Sequence, residues 1–245
     1  MLGLGHGIST DTPGTGEVFH NNYSILLDGA NDYIEVNAAI DDININKGTF
    51  SAWCRISGAT SINGVVIKAS VNSNNQISMA YLNSDEEWQV RYKAGGTDKQ
   101  ITVSTDAETT GAWVHLAMTW DTSADELLGF VNGTQVGETL DGLGEWSGSI
   151  DKFYLGVNTL AANSYFKGNI DEVGVWDEVL SASNISTELY SGGKPKDVEF
   201  SGRVLGDLVT YWRFTEGTGS SSTGSTASAR TANLVHAPVW STTTV

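Results

Sequence analysis

The sequence predicts an all-β sandwich of two antiparallel sheets with one short helix. Three observations carry that expectation. From Tyr23 to Leu180, short runs of alternating apolar and polar residues recur between turn signals, as half-buried strands require. Glycine is plentiful and proline scarce, 28 against 3 in 245 residues, which suits many tight turns. Only LSASNISTELYSGG carries helix signals.

The elements follow in order. Residues 1–22 are rich in Gly, Thr and Asp without periodicity and read as an extended arm. SILLDGANDYIEV, residues 24–36, is strand-like on either side of an acidic turn at Asp28-Gly29. In TFSAWCRI, Phe50, Ala52, Cys54 and Ile56 share one face and Ser51, Trp53 and Arg55 the other, because successive strand side chains point to opposite sides. EEWQVRYK sets Trp88, Val90 and Tyr92 on one face. AWVHLAMTW divides into Val114, Leu116, Met118 and Trp120 against Trp113, His115, Ala117 and Thr119. LLGFVNGTQVGE carries Asn132-Gly133 between strand patterns, the strongest short hairpin signal. FYLG and GNIDEVGVW continue the series. The helix runs from Ser181 as N-cap through Ile185 and Leu189 to Gly192-Gly193, and is expected to plug one end of the sandwich.

After Pro195, LVTYWRFTEG places Thr210, Trp212 and Phe214 on one face and Tyr211, Arg213 and Thr215 on the other. A low-complexity loop and ANLVHAPVW close the chain. A separate domain of about fifty residues without cysteines is marginal. Residues 195–245 are therefore expected to add strands to the sandwich built by residues 23–194.

Composition narrows the partners. A net charge of -16 disfavours nucleic acid and anionic bilayers. No apolar run reaches the ~20 residues of a membrane span, so no membrane insertion is expected. The N-terminus lacks the basic and apolar regions of a secretory leader. The single cysteine, Cys54, excludes an intrachain disulfide and reads as a buried, inert thiol within its strand.

In combination, SILLDGANDYIEV, GTFSAWCRI, GAWVHLAMTWD with LLGFVNGTQV, and FKGNIDEVGVWDEVLSASNI resemble, in that order, the strands and terminal helix of laminin-G-like domains. The resemblance covers about residues 24–190 and implies a concanavalin A-like jelly roll, a fold that usually displays a binding surface. The tail departs from the pattern: YWRFTEG through APVW resembles a segment that precedes the first strand in many such proteins, yet follows the helix here. This order is similar to that of marine phage and environmental viral proteins whose jelly roll sits on the particle.

The resemblance also frames the chemistry. Laminarinase-type glycoside hydrolases of this fold carry Glu-x-Asp-x-Glu on one strand, so that alternation sets three carboxylates on one face. The matching positions here are Asn169, Asp171 and Val173, and Glu172 is expected to point to the opposite face. No GxSxG elbow, HExxH pair or phosphate loop occurs, and His6, His20, His115 and His236 are scattered. No catalytic residue is assigned. A structural calcium is implied between the acidic turn and the late strand, with Asp28, Asp32 and Asp171 as ligands for a cation that seeks hard oxygens. The alternative is that Asp28 and Asp32 hold turn amides and Asp171 anchors a buried backbone group. Sugars stack on aromatic rings bordered by polar groups, which makes Trp88, Tyr92, Trp146 and Tyr165 the candidate ligand-binding residues. Trp88 and Trp146 are expected to be the most exposed, and core packing is the alternative for all four.

The expectation is a non-enzymatic phage virion accessory protein, in capsid decoration, a fibre or a tail, assembled in the host cytoplasm. The arm at 1–22 would dock it on other virion subunits, the jelly roll would present a lectin-like face to host glycans, and the chain would form a homo-oligomer. The alternatives are a free or cell-surface carbohydrate-binding module and, third, a divergent glycoside hydrolase.

Overall fold

The structure, a computed structural model, describes residues 21–57, 63–82, 86–104, 111–160, 163–196, 198, 206–226 and 228–245. The arm expected at 1–22 lies, but for its last two residues, outside them. Two eight-stranded antiparallel sheets form among the described residues. In the first, β10 (Thr134–Leu140), β9 (Glu126–Val131), β8 (Trp113–Asp121), β3 (Lys47–Ile56), β12 (Lys167–Trp176), β1 (Ser24–Asp28) and β16 (Val239–Ser241) lie side by side. A further strand, β13 (Leu208–Trp212), pairs with the second half of β12. The second sheet runs β14 (Ser221–Thr223), β15 (Thr231–Val235), β2 (Tyr33–Glu35), β11 (Lys152–Leu155), β4 (Gly64–Asn72), β5 (Asn75–Leu82), β6 (Glu87–Ala94) and β7 (Thr97–Ser104). The sandwich therefore matches the all-β, concanavalin A-like jelly roll expected from the sequence.

Alternation decides which side chains meet between the sheets. Phe50, Ala52, Cys54 and Ile56 of β3 and Val114, Leu116, Met118 and Trp120 of β8 face inward and are buried. Phe50 stacks on Phe153 of β11 at 5.6 Å and meets Trp120 edge-on at 4.9 Å, so one ring ties both sheets together. Each fully buried side chain of this size contributes about 2–3 kcal/mol. The hairpin between β9 and β10 turns on Asn132 and Gly133, both at positive φ, 49° and 73°. That is the backbone a two-residue turn needs to match the twist of its strands.

The tail residues join this framework by strand pairing. β16 lies against β1, β15 against β2, and β14 against β15. Trp212 and Phe214 point into the same core as Phe153. The helix starts where expected: the Ser181 hydroxyl accepts the Asn184 amide at 3.1 Å. It continues from Ala182–Asn184 into wider π-type turns over Ile185–Tyr190. Its position corrects the expectation of an end plug. Ile185 and Leu189 pack with Ala117, Phe130, Trp176 and Tyr211, which all sit on the outward side of the first sheet. The helix is a cover on that sheet, because the outward residues of β8, β9 and β12 include apolar ones that need burial.

One irregularity matters for the chemistry. β1 pairs with residues 167–170 of β12 and β13 with residues 173–176, end to end on the same edge. At the handover, between Asp171 and Gly174, the β12–β3 register shifts and Glu172 adopts φ 48°, a β-bulge.

Candidate functional site

The residues singled out from the sequence do not form one site. Trp88 and Tyr92 share a face of β6 with Val90, but that face looks into the core, and both rings are buried. This corrects the expectation of exposure for Trp88: Glu87, Gln89 and Arg91 are polar because they occupy the other face of the same strand. Tyr92 donates its hydroxyl hydrogen to the Ile45 carbonyl at 2.8 Å, and burial pushes its pKa up to about 12. Trp146 is half-buried against Tyr92, 5.9 Å away, with its indole N–H on the Gly148 carbonyl. Tyr165 is half-buried at the opposite end. Gly148 lies over Val71 while the Ser164 carbonyl takes the Val65 amide. Six residues of strand, about 20 Å, thus separate the two aromatics.

The three proposed calcium ligands are not assembled either. Asp28 Oδ1 accepts the amides of Ala30, Asn31 and Asp32 at 2.7, 3.1 and 3.3 Å. Burial raises its carboxyl, but those amides outweigh it and hold the pKa below the ordinary value. Asp32 is buried beside it, its pKa raised by burial and by the charge of Asp28. Asp171 lies four residues along β12 from Lys167, the cross-strand partner of Asp28, so about 13 Å away. Among the described residues no three His, Cys, Asp or Glu side chains converge as a metal site would need. As placed, Asp28, Asp32 and Asp171 do not fit a single cation.

Asp171 belongs to another arrangement. The bulge turns Glu172 toward it, so that the Asn21 amide reaches both carboxylates, at 2.6 and 3.0 Å. This corrects the expectation from strict alternation, which put Glu172 on the far face. Tyr211 hydrogen-bonds Glu172, and Arg213 adds a positive charge. Burial first, and then the negative Glu172, push the Asp171 carboxyl well above its ordinary pKa. Asp171 and Glu172 are 0 and 1% exposed, and Val173 faces the core. The pair is a knot in the scaffold at the seam between β1 and β13. Nearby, His115 Nε2 and Ser51 Oγ lie 2.8 Å apart, and the imidazole abuts both Trp53 and Tyr190, which stack on each other. Burial pushes its pKa down to about 3. That histidine is neutral, sealed and part of the packing.

The open chemistry is on the outward side of the second sheet. There one row of cross-strand partners runs Asn233, Glu35, Tyr154, Lys68, Ser78 and Arg91. Tyr33 sits diagonally across from Tyr154, ring centroids 5.3 Å apart, and exposed His236 follows at 6.0 Å. The three rings form a shelf, with both tyrosines half-buried. Alternation explains it: Ile34, Phe153 and Leu155 fill the core, so Tyr33 and Tyr154 must face away. Beside the shelf the segment after β11 folds back over the sheet. Asn158 Oδ1 accepts from Lys68 Nζ at 3.0 Å, and Thr159 Oγ1 meets Ser70 Oγ at 2.6 Å. Lys68, Ser70, Gln76 and Ser78 are polar yet buried on this side of the sheet. The sequence reading passed over Tyr33, Tyr154, Lys68 and Asn158. A lysine inside the apolar strand GVVIKASV was the signal that could have found them.

A cavity of about 190 Å³ lies elsewhere, lined by Ile40, Asp41, Ile43, Ile45 and residues 148–150. It is below the ~300 Å³ at which small-molecule pockets usually begin. No helix among the described residues is long and apolar enough to cross a membrane.

Comparison with known proteins places this geometry in context. A family model described as the concanavalin A-like lectin/glucanases superfamily matches residues 28–186. A search of curated proteins finds no match. Among solved structures, one from Bacteroides ovatus, provisionally described as a carbohydrate-binding protein, is similar at TM-score 0.62 and 16% identity. The likeness covers 90% of this chain and 62% of that one, so the chain spans less than two thirds of that relative's length. The CBM40 domain of a Ruminococcus gnavus sialidase is similar at TM-score 0.57 and 15% identity, over 67% of this chain and 95% of that one. Domains LG4-5 of the mouse laminin α1 chain are similar at TM-score 0.50 and 17% identity, over 62% and 40%. At these identities the likeness is one of fold.

Proposed function

Because this chain belongs to the concanavalin A-like lectin/glucanase superfamily, and because the outward side of its second sheet is open and carries an aromatic shelf, we propose that it is a non-catalytic, lectin-like carbohydrate-binding module. The observation that carries the reading is the pair Tyr33 and Tyr154 beside a floor of buried hydroxyl, amide and ammonium groups. A sugar ring offers an apolar C–H face and a polar rim, and such a shelf with donors at its edge matches both. The open shape suits a chain of sugars laid along the sheet better than an enclosed pocket. The Bacteroides ovatus relative is provisionally described as carbohydrate-binding, and the Ruminococcus domain has been solved with sialyllactose. Both support the class of ligand. Burial of Asp171 and Glu172 supports the non-catalytic part, since neither carboxylate is open to a glycosidic bond.

The test is an oligosaccharide array with the native chain and with Tyr33→Ala and Tyr154→Ala. Binding should weaken about tenfold in each variant, the loss of one stacked ring at ~1.4 kcal/mol, with the melting temperature held within a few degrees. An array without a single hit overturns the reading.

A virion accessory role is the finer form of the same reading, in which residues 1–22 attach the module to a particle and the shelf faces outward. A chain lacking 1–22 should then fail to enter particles when co-expressed with the other virion proteins. Normal incorporation would remove that role for the arm without touching the shelf.

A further inference from the structure

We propose that the cationic cluster around Lys68 is a subsite for the anionic group of an acidic sugar, so that the ligand of the shelf is a carboxylated or sulfated glycan. The inference rests on the carbohydrate-binding reading above and adds the charge class of the ligand.

Four observations lead to it. First, the chain carries a net charge of -16 with 13 Lys and Arg against 29 Asp and Glu. Yet Lys68, Arg91, Lys93 and Lys152 gather on one face of one sheet. Lys68 is two strands from Arg91 along its row, and Lys152 and Lys93 occupy the neighbouring row, through Ser70 and Gln76. Second, among the described residues this grouping is under-compensated. Asp98 serves both Arg91, in a forked pair, and Lys93 at 3.8 Å. Glu35 stands on the far side of Tyr154, about 10 Å of sheet from Lys68, and Glu87 lies four residues from Arg91 toward the start of β6.

Third, Lys68 is only 6% exposed, and among the described residues no carboxylate acts on it. The hydrogen bonds among the described residues account for one of its three ammonium hydrogens, given to Asn158 Oδ1. Burial, and then the charges of Arg91 and Lys93, push its pKa down to about 8. A buried cation repelled by its neighbours is a cost to the fold that an apolar side chain would not impose. An incoming anion would relieve it by supplying the missing charge and the missing acceptors. Fourth, Lys68 adjoins the tyrosine shelf directly, since it is the cross-strand partner of Tyr154. A ring stacked on the shelf would hold a charged substituent over the ammonium.

The experiment measures affinity for three probes: an oligogalacturonate, a sulfated galactan oligomer that contains no uronate, and a neutral galactan oligomer. It uses the native chain, Lys68→Met, Lys93→Met and Tyr154→Ala. One or both acidic probes should bind at least tenfold more tightly than the neutral one, and which of them wins separates carboxylate from sulfate. Lys68→Met should remove that preference while raising the melting temperature by several degrees. A merely structural lysine would instead lower it when replaced. Lys93→Met leaves Asp98 paired with Arg91 and should weaken acidic binding about threefold, which keeps the test open if the first variant fails to fold. Equal binding of neutral and acidic probes, sensitive to Tyr154→Ala but not to Lys68→Met, overturns the subsite and leaves the shelf standing. No binding of any probe overturns both.

Discussion

The two sheets of this sandwich each turn a polar face away from the core, and they treat it in opposite ways. On the first sheet, Asp171, Glu172, His115 and Ser51 point outward yet are covered by the helix, by Asn21 and by the tail strand β13. Their polar groups largely find partners within the protein: an amide across both carboxylates, a tyrosine hydroxyl, an arginine, a serine beside the imidazole. On the second sheet, Tyr33, Tyr154 and Lys68 also point outward, and among the described residues a loop edge at Asn158 and Thr159 leans over them. Charge on the first face is met by Asn21, Tyr211 and Arg213, whereas on the second Asp98 pairs with Arg91 and Lys93 and among the described residues no carboxylate acts on Lys68. A carboxylate pair on a strand of a hydrolase-related fold attracts attention in a sequence. Enclosure, rather than residue type, makes it scaffold.

The largest effect that sharpens this contrast concerns the core between the faces. Trp88→Ala should cost about 3–5 kcal/mol, as for other buried tryptophans, read as a shift in the urea midpoint. The fraction that remains folded should keep its glycan affinity. A large loss of affinity with little loss of stability would return Trp88 to the binding surface.

A smaller effect separates the faces by the sign of their pH dependence. Asp171 has a folded pKa above its ordinary 3.8. Between those values the folded protein holds the extra proton, so its contribution to stability grows as pH falls. Lys68 is the reverse case. Between about 8 and its ordinary 10.5 the unfolded chain holds the extra proton, and stability grows as pH rises, by up to about 3 kcal/mol. The charged and titratable groups that face it are Arg91, Lys93, Tyr154 and Glu35. Denaturation measured across pH should show Asp171→Asn flattening the acidic limb alone and Lys68→Met the alkaline limb alone. If either variant leaves its own limb unchanged, the balance described for that face is wrong.

Much of the fold was legible before any coordinates. The inward sets of β3 and β8, the Asn132-Gly133 hairpin, the Ser181 cap and the two faces of β13 follow from a period of two and from local turn chemistry. The errors had different origins. Trp88 looked exposed because its neighbours are polar, although strand neighbours face opposite ways. Glu172 looked distant from Asp171 because alternation was assumed to continue through a bulge. The helix was given an end of the sandwich when the outward Phe130 and Trp176 needed a cover.

What the sequence determined by itself, then, is the sandwich, its strand faces and its acidity, because those depend on residues a few positions apart. What only the tertiary structure decided is which outward face is sealed and which is open. That turns on contacts between Asn21 and Asp171, Tyr190 and Trp53, or Tyr154 and Lys68, pairs far apart in sequence. No local pattern encodes those pairs, since each residue would be equally at home on either face until the strands are ordered and the tail is laid in place.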